Sequence, residues 1–272
     1  MNELRCEICF HHCVLKEGMH GRCRARMNRN GENICATYGR ITSLALDPIE
    51  KKPLAMFHPG SWILSAGSYG CNHSCPFCQN WQISMADEQT SGFEEWNAEQ
   101  LADLILKTED SVGIAFTYNE PLIEWEYIRD VAALVKPAGK QVVLVSNGCA
   151  ESWVLEKLAP YVDAMNIDLK GDAEFYRELG GSYESVKHTI AYMHDKCHVE
   201  ITSLIIPGKN DSHEWVKQES EWLASLNPEI PLHLTRYFPR FRYNIPATPR
   251  NTLYDLKETA EQSLRHVFVG NV

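Results

Sequence analysis

Ten of the 272 residues are cysteine, and seven of these fall in two tight groups: Cys6, Cys9, Cys13 and Cys23, then Cys71, Cys75 and Cys78. The second group lies in GlyCysAsnHisSerCysProPheCysGlnAsn (70–80), where x3 and x2 spacings in a Gly-opened loop let three thiols reach one cubane iron–sulfur cluster. With only three protein thiolates, a [4Fe-4S] cluster keeps one iron open to substrate. A tetrahedral zinc would instead need a fourth ligand, for which His73 or a remote cysteine is the candidate. Phe77, inside the motif, fits as an apolar cover for the cluster and equally as a core aromatic.

The first group, with spacings x2, x3 and x9, supplies four thiols, enough for a closed metal site. The spacing is less regular than paired knuckles, so both zinc and iron–sulfur stay open. If a cluster forms there, it could relay electrons or, as the second choice, hold substrate. His11 and His12 are spare ligands better suited to the surface, and Cys35, Cys149 and Cys197 read as buried, inert thiols.

These groups must be positioned by a scaffold. Residues 1–60 are rich in Cys, Gly, Arg and Asn with weak periodicity, which predicts a loop-rich N-terminal module. Residues 61–272 then alternate between short β-branched runs and helical patterns. Strands are expected near 62–68, 113–117, 141–146, 164–168, 198–206, 231–236 and 266–269. Asn97 and Gln100 form a capping box, Lys136–Pro137 closes a helix that begins near Leu122, and a helix over 152–158 stops at Pro160. Successive strand–helix units imply parallel strands with right-handed crossovers, in a doubly wound sheet or a complete or partial barrel. The polar and Gly-containing strings follow strand ends: the cysteine loop, ThrTyrAsnGluPro (117–121), SerAsnGly (146–148), AspLeuLys (168–170), ProGlyLysAsnAsp (207–211) and ThrArgTyrPhePro (235–239). One chemical face at the carboxyl edge accounts for all six.

The composition narrows the function classes. Hydrophobic residues at 44% and charged residues at 23% suit one packed globular domain of ordinary barrel size. A formal charge of -10 argues against a broad nucleic-acid surface. No run is long and apolar enough for a membrane span, and the start lacks the apolar core of a signal peptide, so the expectation is a soluble cytoplasmic protein.

The cysteine loop resembles the cluster motif of the radical S-adenosylmethionine (SAM) superfamily, and the resemblance extends over most of residues 60–272. Within it the chain looks most like the activating enzymes of glycyl-radical enzymes such as pyruvate formate-lyase, and especially the AmmeMemoRadiSam group. AspProIleGluLysLysPro (47–53), CysProPheCysGlnAsnTrp (75–81), TyrAsnGluPro (118–121) and the terminal GlyAsnVal (270–272) carry this. The resemblance implies a partial (β/α)6 TIM-type barrel. It also implies a cluster on Cys71, Cys75 and Cys78 that binds SAM and cleaves it to a 5'-deoxyadenosyl radical for hydrogen abstraction. The activators usually carry GlyGlyGluPro where this chain has TyrAsnGluPro, so Glu120 matches the acceptor of the SAM amino group, with Asn119 as helper. Ser146 and Asn147 match SAM contacts, although Val145 stands where an acid is common. Lys170 matches a lysine that reaches the SAM carboxylate, and Asp168 could orient it. Ile206 corresponds to a stretch that packs on adenine, and Arg236 could close the site. The implied partners are a protein or peptide substrate and a reductant such as flavodoxin or ferredoxin. A glycine Cα hydrogen in a partner protein is the first-choice target. Modification of another protein, peptide or small molecule comes next, and a non-catalytic iron–sulfur regulatory or electron-transfer protein is the rival from another class.

Overall fold

The structure, a computed structural model, describes residues 3–272. Its frame is one eight-stranded sheet. The strands are β1 (Ser43–Pro48), β2 (Trp62–Gly67), β3 (Ser111–Phe116), β4 (Gln141–Ser146), β5 (Ala164–Asp168), β6 (His198–Ile205), β7 (Leu232–Arg236) and β8 (Val267–Gly270). They lie in sequence order; β2 to β8 are parallel, and β1 pairs antiparallel with β2 along its whole length. β1 and β8 are the two edges of the sheet, so the barrel is open on that side.

The parallel strands match the expected positions, because β2 to β7 are short runs buried on both faces; Val142, Val143 and Leu144 are fully buried, and only the edge strand β8 is half-buried. The crossovers are α1 (Ala98–Lys107), α2 (Trp125–Val135), α3 (Ser152–Leu158), α4 (Ala173–Leu179), α5 (Tyr183–Met193), α6 (His213–Leu226) and α7 (Arg250–Ala260). Helix α1 starts at the reciprocal Asn97–Gln100 capping box and buries Leu101, Ala102 and Ile105 against the sheet. Asp172 and Ser212 cap α4 and α6 by accepting from Phe175 N and Trp215 N.

Strand alternation sends one face of every strand into the lumen. At the amino end, Ile63, Ala115, Val143 and Ala164 pack around Ile49 and Leu54, which belong to the segment after β1. Pro53 O accepts from Asn166 Nδ2, and the Ala55 and Met56 amides donate to the Glu200 carboxylate at 2.9 and 2.8 Å. AspProIleGluLysLysPro and the residues after it therefore plug the bottom of the barrel. Periodicity gave no signal for this, because a plug is neither helix nor strand.

The N-terminal residues form two hairpin-like pairs, Leu4–Arg5 with Val14–Leu15 and Arg26–Arg29 with Glu32–Cys35. The strand β1 lies within residues 1–60, so that segment contributes an edge strand and the plug to the barrel sheet. No helix among the described residues is long and apolar enough to cross a membrane.

Candidate active site

Above the plug the same inward face turns polar. Thr117, Val145, Asp168, Thr202, Leu204, His233 and Thr235 line a cavity of about 680 Å³ at the carboxyl end of the strands. Cys71, Cys75, Cys78, Phe77, Asn119, Glu120, Ser146, Asn147 and Lys170 line it too. The loops after β2, β3, β4 and β5 thus meet at one place, as their positions after strand ends imply.

The cysteine loop is held from several sides. Asn119 Oδ1 accepts from Ser68 N at 3.0 Å, and its Nδ2 donates to the Tyr69 and Gly70 carbonyls at 3.3 Å each, bracing the approach to Cys71. Asn147 Nδ2 donates to Asn72 Oδ1 at 2.8 Å and lies 3.6 Å from Cys71 Sγ. Ser84 Oγ is 3.2 Å from Cys78 Sγ. All three thiols are free of disulfides. Burial pushes the Cys71 thiol well above its ordinary value and Cys75 up to about 12, and a bound metal cation would favour the thiolate of either. Among the described residues no three His, Cys, Asp or Glu side chains converge tightly enough to hold a single metal ion. His73 is buried with both ring nitrogens unpartnered, and burial holds it well below its ordinary pKa.

Glu120 is the hub of the adjoining wall. Its Oε1 accepts from Leu122 N at 2.9 Å and from Ser146 Oγ at 2.7 Å, and its Oε2 accepts from Asn147 N at 2.8 Å. A carboxylate offers about four lone-pair sites, which leaves one on Oε2 for a further donor. Burial lifts its pKa to about 7 against the pull of those three donors. Across the cavity Lys170 Nζ donates to Asp168 Oδ2 at 2.6 Å; although burial opposes its charge, Asp168 and then the cysteines Cys75 and Cys71 raise its pKa.

Tyr118 has a left-handed backbone, φ +73°, a conformation that favours glycine. Its hydroxyl donates to Asp47 Oδ2 at 2.8 Å, its carbonyl accepts from Asn80 Nδ2 at 2.8 Å, and the Lys52 ammonium lies 4.8 Å from its ring centre. These contacts offset a cost of about 1–2 kcal/mol. The plug thereby adds Asp47, Lys51 and Lys52 to the neighbourhood, with Lys52 paired to Asp47 at 2.9 Å.

Two expected residues are not brought to the cavity. Arg236 does not line it; the guanidinium donates to Thr248 O at 2.7 Å, while its neighbour Thr235 faces inward. Ile206 is buried with Cys75, Phe77 and Phe175 beneath the lining. Conversely, Thr202 and His233 line the cavity without having been singled out, and Thr235 and Lys52 join it from the strings 235–239 and 47–53, where neither was named as a site residue. For His233 and Thr235 the i, i+2 spacing on one strand was an available signal. Of the single cysteines, Cys149 is buried and Cys35 and Cys197 are half-buried, and burial raises all three to about 12.

The model of the radical SAM superfamily matches residues 66–218, which span β2 to α6 and the whole cysteine loop. The chain belongs to the radical SAM superfamily. Membership makes it an enzyme of that superfamily, with a [4Fe-4S] cluster and SAM as implied cofactors. A protein of Methanocaldococcus jannaschii without an assigned function is 36% identical over 288 residues, covering 100% of this chain and 82% of that protein. A second protein of that organism, whose name proposes a glycyl-radical enzyme activating enzyme, is 23% identical over 75% of this chain and 87% of its own length. Among solved structures, a domain of pyruvate-formate lyase-activating enzyme from Bacteroides vulgatus superposes with a TM-score of 0.52 at 19% identity. It covers 58% of this chain and 99% of that domain. Streptococcus suis SuiB bound to its precursor peptide SuiA gives 0.57 at 14% identity, covering 82% of this chain and 51% of SuiB. These two likenesses show the fold.

Proposed function

We propose that Cys71, Cys75 and Cys78 hold the [4Fe-4S] cluster, that SAM binds beside it, and that the radical so generated takes a hydrogen atom from a protein or peptide substrate, a glycine Cα first among the candidates. The observation that carries this is the meeting of three free thiols, the Glu120 hub and the Lys170–Asp168 pair on one cavity. The residues fit both groups: three free thiols from one loop line the same cavity, as a cubane with one open iron requires, and the Glu120 carboxylate has an acceptor site left.

When bound, the cluster and SAM supply one-electron cleavage of a carbon–sulfur bond and a carbon-centred radical. The chain's own residues orient and shield. Glu120 accepts from the SAM amino group, Ser146 and Asn147 fix that carboxylate, and Lys170 meets the SAM carboxylate while Asp168 holds its ammonium in place. The plugged floor keeps water out from below, leaving access from the carboxyl end. The name of the second relative and the activating-enzyme and SuiB folds support a protein or peptide substrate. A low-potential electron carrier of the flavodoxin or ferredoxin class completes the proposed set of partners.

The test is anaerobic reconstitution with iron and sulfide, dithionite reduction in the presence of SAM, and chromatography for 5'-deoxyadenosine. Product from the wild type and none from a Cys71→Ala, Cys75→Ala, Cys78→Ala variant supports the reading; product from both overturns it.

A further inference from the structure

The four N-terminal cysteines have no part in the site just described, yet the fold treats their thiols as it treats those of the barrel loop. None is in a disulfide, and Cys6, Cys9 and Cys23 are 5–6% exposed. Each thiol is met by at least one N–H. Cys6 Sγ takes Asn33 Nδ2 at 3.3 Å, and Cys13 Sγ takes the Arg22 amide at 3.5 Å. Cys9 takes the His11 amide, and Cys23 takes the amides of Ala25 and Arg26. Burial outweighs these donors, raising Cys9 to about 12 and Cys23 above its ordinary value, as it does for Cys71 and Cys75 in the barrel loop. Gly21 keeps space between two of the N-terminal thiols: a Cβ there would lie 3.7 Å from Cys13 Sγ and 3.8 Å from Cys23 Sγ. Cys6, Cys9 and Cys23 act on one another electrostatically, and the Cys6 amide donates to Cys13 O at 2.8 Å, so all four lie in one region.

Four cysteine ligands would complete a cubane and leave no open iron. The group also abuts the first site. A Cβ on Gly70 would overlap the Cys23 carbonyl, so the two segments pack backbone to backbone beside Cys71. The Asn72 side chain reaches the Cys9 thiol on one side, and on the other Asn72 Oδ1 accepts from Asn147 Nδ2, which approaches Cys71 Sγ.

We infer that Cys6, Cys9, Cys13 and Cys23 hold a second, fully ligated iron–sulfur cluster that passes single electrons across Asn72 to the barrel cluster. A low-potential one-electron carrier protein is oxidised by one electron as the N-terminal cluster is reduced; that cluster is reoxidised as the barrel cluster takes the electron. No bond forms or breaks and no proton moves. The relay rests on the proposed role of Cys71, Cys75 and Cys78, whereas the presence of the second cluster does not.

Iron, sulfide and zinc are counted per chain in anaerobically reconstituted protein. The wild type is expected to hold about eight iron and eight sulfide, and both the Cys71→Ala, Cys75→Ala, Cys78→Ala variant and a Cys9→Ser, Cys13→Ser variant about four of each. The wild-type count needs no altered chain, so misfolding of a variant cannot mimic the answer. About four iron in the wild type, or one zinc and no iron in the barrel-cysteine variant, overturns the second cluster. Deoxyadenosine formation by the Cys9→Ser, Cys13→Ser variant is expected to fall at least about tenfold with reduced flavodoxin and to persist with dithionite, which reaches the barrel cluster directly. Equal loss with both reductants, or none with flavodoxin, overturns the relay. Failure of the proposed barrel site shows separately, as deoxyadenosine produced without Cys71, Cys75 and Cys78.

Discussion

Replacing Ser146 by Ala removes one buried oxygen with two bonds: the hydroxyl donates to Glu120 Oε1 at 2.7 Å and accepts from Gly148 N at 2.9 Å. A hydrogen bond to a charged group contributes about 1.5–3 kcal/mol. Ser146 is one of the donors that hold the Glu120 pKa down against burial, so its loss raises that pKa from about 7 by roughly 1–2 pH units. The ionised carboxylate accepts from the SAM amino group far more strongly than the neutral acid does. Affinity for SAM therefore rises as pH passes the Glu120 pKa and levels off above it. In Ser146→Ala the rise is displaced to higher pH, and at neutral pH the affinity is lower by roughly fivefold to fiftyfold. The assay is SAM affinity of cluster-loaded wild type and variant from about pH 6 to about pH 9, with iron content confirming equal loading. Two curves with the same midpoint, offset only by a constant factor, would refute the account of Ser146 as the residue that keeps Glu120 ionised.

Two further predictions concern the scaffold. Glu219 is buried on α6 with Oε2 unpartnered, and burial raises its pKa from 4.5 to about 8. Its partner Ser203 has its one hydroxyl proton committed to Leu169 O at 2.8 Å, so the neutral acid is the natural donor in the short Ser203–Glu219 contact. A raised acid contributes stability that is complete below pH 4.5 and is lost as pH rises through about 8; Glu219→Gln removes that dependence. The variant is expected to match wild type near pH 5 and to exceed it by up to about 5 kcal/mol above pH 8, as read by urea midpoints of the metal-free chain; a pH-independent difference would contradict this. Gly113 on β3 faces Gln141 on β4 so closely that a Cβ would overlap its carbonyl and come within 2.5 Å of its nitrogen. Gly113→Ala is expected to cost about 3 kcal/mol or more and to lower the cavity's capacity to bind SAM by shifting β3; a melting temperature equal to wild type would count against that close approach.

How much of this was legible in the sequence differs from part to part. The seven parallel strands were, because each is a short apolar run with β-branched residues bounded by helical patterns, and local chemistry suffices to mark it. The cysteine loop, TyrAsnGluPro, SerAsnGly and AspLeuLys were also legible, because chain order alone puts them after strand ends, and parallel strands carry all their carboxyl ends to one side. What only the tertiary structure decided is which neighbours share a wall. Asn119 spends its amide on Ser68, Tyr69 and Gly70, contacts 49 to 51 residues away that no spacing rule anticipates. Arg236 points to Thr248 because strand alternation hands the cavity to Thr235. The segment 47–56 fills the barrel floor because its Ile49 and Leu54 meet four different strands. Local residue types determine which elements form and which groups can react; side-chain direction and contacts between distant segments depend on the closed three-dimensional packing, and no stretch of the chain encodes them by itself.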